Sequence, residues 1–230
     1  MSKHKRDRSR RKEANMTAAE KAKIKADYPA YTTRNPCKLG GYKEYYDDNS
    51  EILFVGSITS PQGINRGYYY AADRNQFWEL VDEVHDKNFP TLKTTYKFLD
   101  LKNNLKDIAH GVPTKLSKAH TIIKFEENLK ICHFAICDII EECKFKKAGA
   151  AIDSLIVKSS IKINDTKIND ILKNSKIRLI VINSQFVMDL WNENKAKFAT
   201  AIVPILVTSP SSANRISKAV KIKYWVSDIK

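Results

Sequence analysis

Four short runs of consecutive apolar residues punctuate the chain, at 52–55, 131–134, 179–182 and 202–207, the second being the weakest. Each is continuous rather than alternating, which predicts strands of a parallel sheet covered on both faces. Helical spacing lies between them. In 75–81, Phe77, Leu80 and Val81 fall on one side, and 136–147, 166–172 and 186–195 are further candidate helices, the last directly after the third strand. Strands alternating with helices predict a three-layer α/β/α sandwich around a central, mainly parallel four-stranded sheet. In such sheets ligands bind beyond the carboxyl ends of the strands, so the segments after Val55 and Val207 are the first places to look for chemistry.

The remaining stretches are polar punctuation. Residues 30–50 hold Pro36, Gly40-Gly41 and an Asp-Asp-Asn cluster and read as loop and entry segment. Residues 84–120 are rich in Lys and Asn, with a Gly-Val-Pro turn at 111–113, and read as an elaborated connection, helical around 100–109. Charge is concentrated at the start. The chain carries +14, of which residues 1–30 account for +6. Residues 1–15 have too few apolar side chains to offset their ordering entropy and are expected to form a disordered basic arm. Residues 16–27 fit a short helix, with Thr17 as N-cap and Glu20 completing a capping box. The expected organisation is therefore this arm, 1–30, and one α/β domain, 31–230.

A basic excess of this size points to a polyanionic partner, most simply the phosphate backbone of DNA. No apolar run reaches membrane-spanning length and no secretory signal is recognisable, so no membrane partner and a reducing cytoplasmic setting are expected. Cys37, Cys132, Cys137 and Cys143 lack a CxxC pair, which argues against a zinc site, and the last three lie near an apolar run that would bury them. No metal or cofactor is expected, and a monomer is.

Two loops sharpen the picture. After the first strand comes Gly56-Ser57-Ile58-Thr59-Ser60-Pro61-Gln62-Gly63, then Tyr68-Tyr69-Tyr70 and Asn75-Gln76-Phe77-Trp78. After the last comes Ser209-Pro210-Ser211-Ser212-Ala213-Asn214-Arg215. Together these resemble the uracil-DNA glycosylase superfamily, closest to its mismatch-specific and hypoxanthine-type branches. The shared pattern is a small-residue loop after a strand, an aromatic twelve residues after the loop's catalytic position (Tyr70), an N-x-F-W helix start, and a second loop of the form N/S-P-S-x-x-x-R. Two more stretches, 135–144 and 180–184, resemble the hypoxanthine-type branch. The likeness covers roughly 51–220.

The resemblance implies a monofunctional DNA glycosylase that flips a nucleotide out of the duplex, holds the base in a pocket and hydrolyses its N-glycosidic bond, leaving an abasic site. Gly56, Ser57, Ile58, Tyr70 and Phe77 are the implied base-binding residues. Tyr70 is the expected stacking platform, whereas Phe77 and Trp78 also fit a core role behind it. Ser209, Pro210, Ser211, Ser212, Asn214 and Arg215 are the implied DNA contacts, since Ser hydroxyls, backbone N–H groups and Arg suit phosphate oxygens. The sequence departs from the mismatch-specific pattern at Ile58, where that branch carries a water-positioning Asn; the hypoxanthine-type branch is also apolar there. The leading replacement is Asp138, whose carboxylate could orient water and stabilise a cationic sugar, or could instead cap a helix beginning near Ile139. Asn75 and Asn183 are further catalytic candidates, Asn75 being equally suited to cap the following helix. Asp153 is more remote. His110, His120 and His133 show no partner, and no lysine sits in a recognisable Schiff-base setting.

Two substrate classes stay open: a deaminated base such as hypoxanthine or uracil, as in DNA repair, and a bulky modified cytosine of phage DNA, as in antiviral defence. The alternative to an enzyme is a non-catalytic DNA-binding protein on a glycosylase-like scaffold, motivated by Ile58.

Overall fold

The computed structural model describes residues 38–40, 43–146, 153–212 and 214–230. The basic arm, its 16–27 helix and Cys37 lie outside the described residues. Four strands form the central sheet: β2 (Ile52–Gly56), β3 (Phe134–Asp138), β6 (Leu179–Ile182) and β7 (Ile205–Leu206), all parallel, in the order β3-β2-β6-β7. Side chains alternate across it. Ile52 and Phe54 join one buried cluster, and Leu53 and Val55 the other. The chain is therefore α/β with both sheet faces covered, which is why these strands lack an apolar-polar alternation.

Helices α2 (Phe77–Asn88), α3 (Phe98–Ala109), α4 (Lys118–Cys132) and α7 (Lys218–Asp228) supply the first cluster. Its centre is aromatic: Phe54 meets Phe77 and Phe134 edge-on at 5.4 Å and lies near-parallel to Trp225 at 6.3 Å. Helices α5 (Asp165–Asn174) and α6 (Gln185–Asn194) supply the second cluster. The short helix α1 (Pro61–Arg66) follows β2, with Ser60 as N-cap, Pro61 at the start and Gly67 closing it at φ 85°.

A second, antiparallel sheet, which the apolar pattern did not predict, is formed by β1 (Lys38–Gly40), β4 (Ile140–Lys144) and β5 (Lys162–Ile163). It overturns the helix expected at 136–147. That stretch satisfies helical spacing with Ile136, Ile139, Ile140 and Cys143, but β2 offers Phe134–Asp138 a fully buried parallel edge, and pairing outweighs local periodicity. The strand expected at 131–134 is likewise displaced. Helix α4 runs through Cys132, His133 closes it in the left-handed region at φ 58°, and the strand starts only at Phe134. At the far edge, only two residues of the expected 202–207 strand pair with β6. Pro204 has no N–H for a ladder, and Val203 is 82% exposed. Cys132, Cys137 and Cys143 are buried free thiols.

Candidate active site

The sheet register creates the site. Gly56 ends β2 and pairs with Asp138 at the end of β3, while Asn183 directly follows β6. Three neighbouring strand ends thus deliver their next side chains to one place. Gly56 supplies the floor because nothing larger fits: a Cβ there would collide with the Tyr70 hydroxyl and lie 2.9 Å from Asp138 Oδ1. Above it opens a cleft of about 480 Å³ lined by Ser57, Ile58, Thr59, Tyr70, Asp138 and Asn183, with Asn75 and Asp153 on its walls. Ser209, Pro210, Ser211 and Asn214 of the second loop line the same cleft.

Asp138 is 2% exposed. Its Oδ2 accepts hydrogen bonds from the Thr59 backbone N–H at 2.6 Å and the Thr59 hydroxyl at 2.7 Å. Asn164 Nδ2 donates to its main-chain carbonyl at 2.9 Å. The residue is therefore a strand-end carboxylate aimed into the cleft; the helix it was alternatively expected to cap does not exist. Tyr70 has the left-handed φ of 49°, uncommon for a non-glycine residue and typical of functional turns. One face of its ring stacks on Phe77, with centroids 3.9 Å apart and planes 13° from parallel. Its hydroxyl accepts from Asn183 Nδ2 at 2.6 Å. Burial, reinforced by the Asp138 charge, pushes the phenol far above its ordinary range, so it stays protonated.

Other expected residues separate by position. Phe77 is fully buried, lies outside the cleft lining and packs behind the Tyr70 ring. Asn75 Oδ1 accepts from the Phe77 N–H at 2.8 Å, at the start of α2, and the residue also lines the cleft. Ser212 and Arg215 are exposed and lie outside the cleft lining. Ile58 is half-buried in the cleft wall and offers water no hydrogen bond.

Three buried cations, unnoticed in the sequence, hold the surrounding loops. Arg66 donates to the Ala71 carbonyl at 2.6 Å and pairs with Asp73 at 2.7 Å. Lys102 donates to the carbonyl of Asn75. Lys221, on α7, donates to Gln76 Oε1 and to the Ser211 carbonyl, each at 2.9 Å, and Gln76 N–H donates to the Pro210 carbonyl at 3.0 Å. The second loop is thereby tied to the N-terminus of α2. Among the described residues, no group of three or more His, Cys, Asp or Glu could hold a metal ion, and no helix is long and apolar enough to cross a membrane.

No protein-family model matches the chain. It is 34% identical over 64 residues to a protein named hypoxanthine DNA glycosylase from Methanosarcina acetivorans, and 28% identical over 67 residues to one of the same name from Methanosarcina barkeri. These matches cover 28% and 29% of this chain, and the chain spans only 40% and 42% of the relatives' length. The fold matches the solution NMR structure of a candidate uracil DNA glycosylase from Methanosarcina acetivorans with TM-score 0.52 and 20% identity, over 83% of this chain and 96% of that one. The chain is thus similar over part of its length to proteins named hypoxanthine DNA glycosylase, and it shares its fold with a candidate uracil DNA glycosylase. The Gly56 floor, Asp138 and Asn183 occupy the carboxyl end of the sheet, where open α/β folds hold their ligands.

Proposed function

We propose that this chain is a monofunctional DNA glycosylase that captures an extruded base and hydrolyses its N-glycosidic bond, leaving an abasic site. The observation that carries this reading is the convergence of an aromatic ring, a donor-held carboxylate and an amide on one cleft at the strand ends, bordered by the 209–215 loop.

The chemistry follows from what bond cleavage requires. An extruded base stacks on the exposed side of Tyr70, gaining roughly 1–3 kcal/mol against the cost of leaving the duplex stack. As the bond to the sugar breaks, the anomeric carbon becomes cationic. Asp138 is placed to stabilise that charge and to orient the attacking water, with Thr59 fixing its orientation. Asn183 and Asn75 offer amides for base edges or water. Ser209, Ser211 and Asn214 are placed to meet the backbone beside the flipped nucleotide, with Ser212 and Arg215 further out on the same loop.

The names of the sequence relatives favour a deaminated base, hypoxanthine or uracil. The size of the cleft leaves room for a bulky modified cytosine of phage DNA. The test is release of free base, under single turnover, from duplexes carrying hypoxanthine, uracil or glucosylated cytosine. Release from at least one is expected, and Asp138→Asn should slow it by about 10²-fold or more. Ile58 favours a second reading, a non-catalytic DNA-binding protein; tight DNA binding with no base released from any duplex would establish it.

A further inference from the structure

A second carboxyl enters the cleft by a different route from Asp138. Asp153 opens a single 3₁₀ turn, Asp153–Leu155, after β4, and lines the cleft wall. It hydrogen-bonds Ser57, the residue immediately beyond the Gly56 floor. The two carboxyls share a hollow but not an environment. Asp138 receives a backbone N–H and a hydroxyl on one oxygen, an arrangement that favours the ionised form. Among the described residues, Asp153 has Ser57 as its hydrogen-bonding neighbour and no cation is among the groups that shift it. Among the described residues, the titratable groups around it are Asp138 on β3, Tyr70, and Cys143 on β4, whose thiol is pushed up to about 11. None of these supplies a positive charge.

We infer that Asp153 is a catalytic residue, the proton donor to the departing base, in a division of labour with the water-orienting Asp138; this rests on the glycosylase reading above. The C1′–N bond breaks with its electron pair retained by the base. The proton of Asp153 passes to a base nitrogen as the water oxygen bonds to C1′. The proton lost by that water is taken up by Asp138 and returned through solvent to Asp153. The products are neutral base and a sugar hydroxyl, so atoms and charge balance. Two carboxyls in one site, one receiving hydrogen bonds that favour its ionised form and one shifted by burial toward its protonated form, is the usual physical arrangement for dividing acid and base roles. Burial raises the Asp153 carboxyl above its ordinary range, which lengthens the pH interval over which it carries a proton.

The decisive measurement is the pH profile of single-turnover base release, from pH 4 to 9, on whichever of the three duplexes the wild type cleaves. The wild-type rate should fall on the alkaline side as Asp153 loses its proton. Asp153→Asn should be slower by about 10²-fold or more and lose that alkaline limb. Ser57→Ala, a milder change that guards against misfolding of the first variant, should move the limb to higher pH, because the Ser57 hydrogen bond lowers the Asp153 pKa. A wild type that releases base, with the limb unchanged in either variant, overturns this assignment and leaves the glycosylase reading standing. A wild type that releases no base from any duplex overturns both.

Discussion

Gly56 is where one missing side chain decides what its neighbours can do. Because the Tyr70 hydroxyl and Asp138 Oδ1 occupy the space a Cβ would take, Gly56→Ala must displace the ring, the carboxylate or both. Misplacement by about 1 Å at a reacting centre can cost roughly 10²-fold, so base release should fall on that scale with DNA affinity nearly unchanged. Single-turnover rates set beside a binding titration would separate the two. Tyr70→Ala makes a complementary prediction. It removes the stacking face and leaves Phe77 exposed beneath it, so affinity for a duplex containing the target base should fall by about 1–3 kcal/mol, while affinity for an undamaged duplex hardly changes. Equal losses on both duplexes would place Tyr70 outside base capture. Tyr70 was legible in the sequence because its distance from the strand-end loop is fixed along the chain. Thr59 was not: its partner Asp138 lies 79 residues away, and only the Gly56–Asp138 register brings them together.

Among elements, α7 shows how a helix remote in sequence controls the rim of the cleft. Its Lys221 reaches Gln76 across 145 residues and also grips Ser211. Lys221→Met keeps most of the volume but strips both acceptors of their donor. A cost of about 1–3 kcal/mol in stability is expected from a urea titration, together with weaker DNA binding and a rate at saturating DNA close to wild type. A collapse in that saturated rate, with binding intact, would contradict the tether. The junction of α2 and α3 makes a pH prediction. Asp82 accepts from the Phe98 and Leu99 N–H groups at 2.9 and 2.8 Å, and burial pushes its carboxyl up to about 6. Between about pH 4 and 6 the unfolded chain has released this proton while the folded chain retains it. This group's contribution to stability therefore falls as pH rises through that window, by at most about 3 kcal/mol. Asp82→Asn should gain on the wild type between pH 4.5 and 6.5 in urea unfolding; a relative loss would reverse the sign. Helices α2, α3, α5 and α6 and strands β2 and β6 could be read from spacing alone. The 136–147 stretch could not, since its apolar positions satisfy a helix and a buried strand equally, and only the vacant edge of β2 settles the choice.

At the scale of the whole molecule, charge is the property the sequence announces most plainly. A net +14 predicts DNA binding governed by counterion release, with log affinity falling linearly in log salt at a slope of about −0.9 per phosphate neutralised. Titrations between 50 and 200 mM salt check this, and a flat dependence would make the charge incidental. Removal of residues 1–15 should flatten the slope while leaving single-turnover cleavage near its wild-type rate. What composition conceals is that the excess is not shared by the cleft. Among the described residues its lining includes Asp138 and Asp153 and no lysine, arginine or histidine.

That inversion makes the hollow a sieve. A polyanionic strand would be drawn toward the molecule as a whole, yet its phosphates would be repelled from the Asp138 carboxylate within, so an uncharged heterocycle turned away from the backbone is the portion of a nucleotide that would enter at least electrostatic cost.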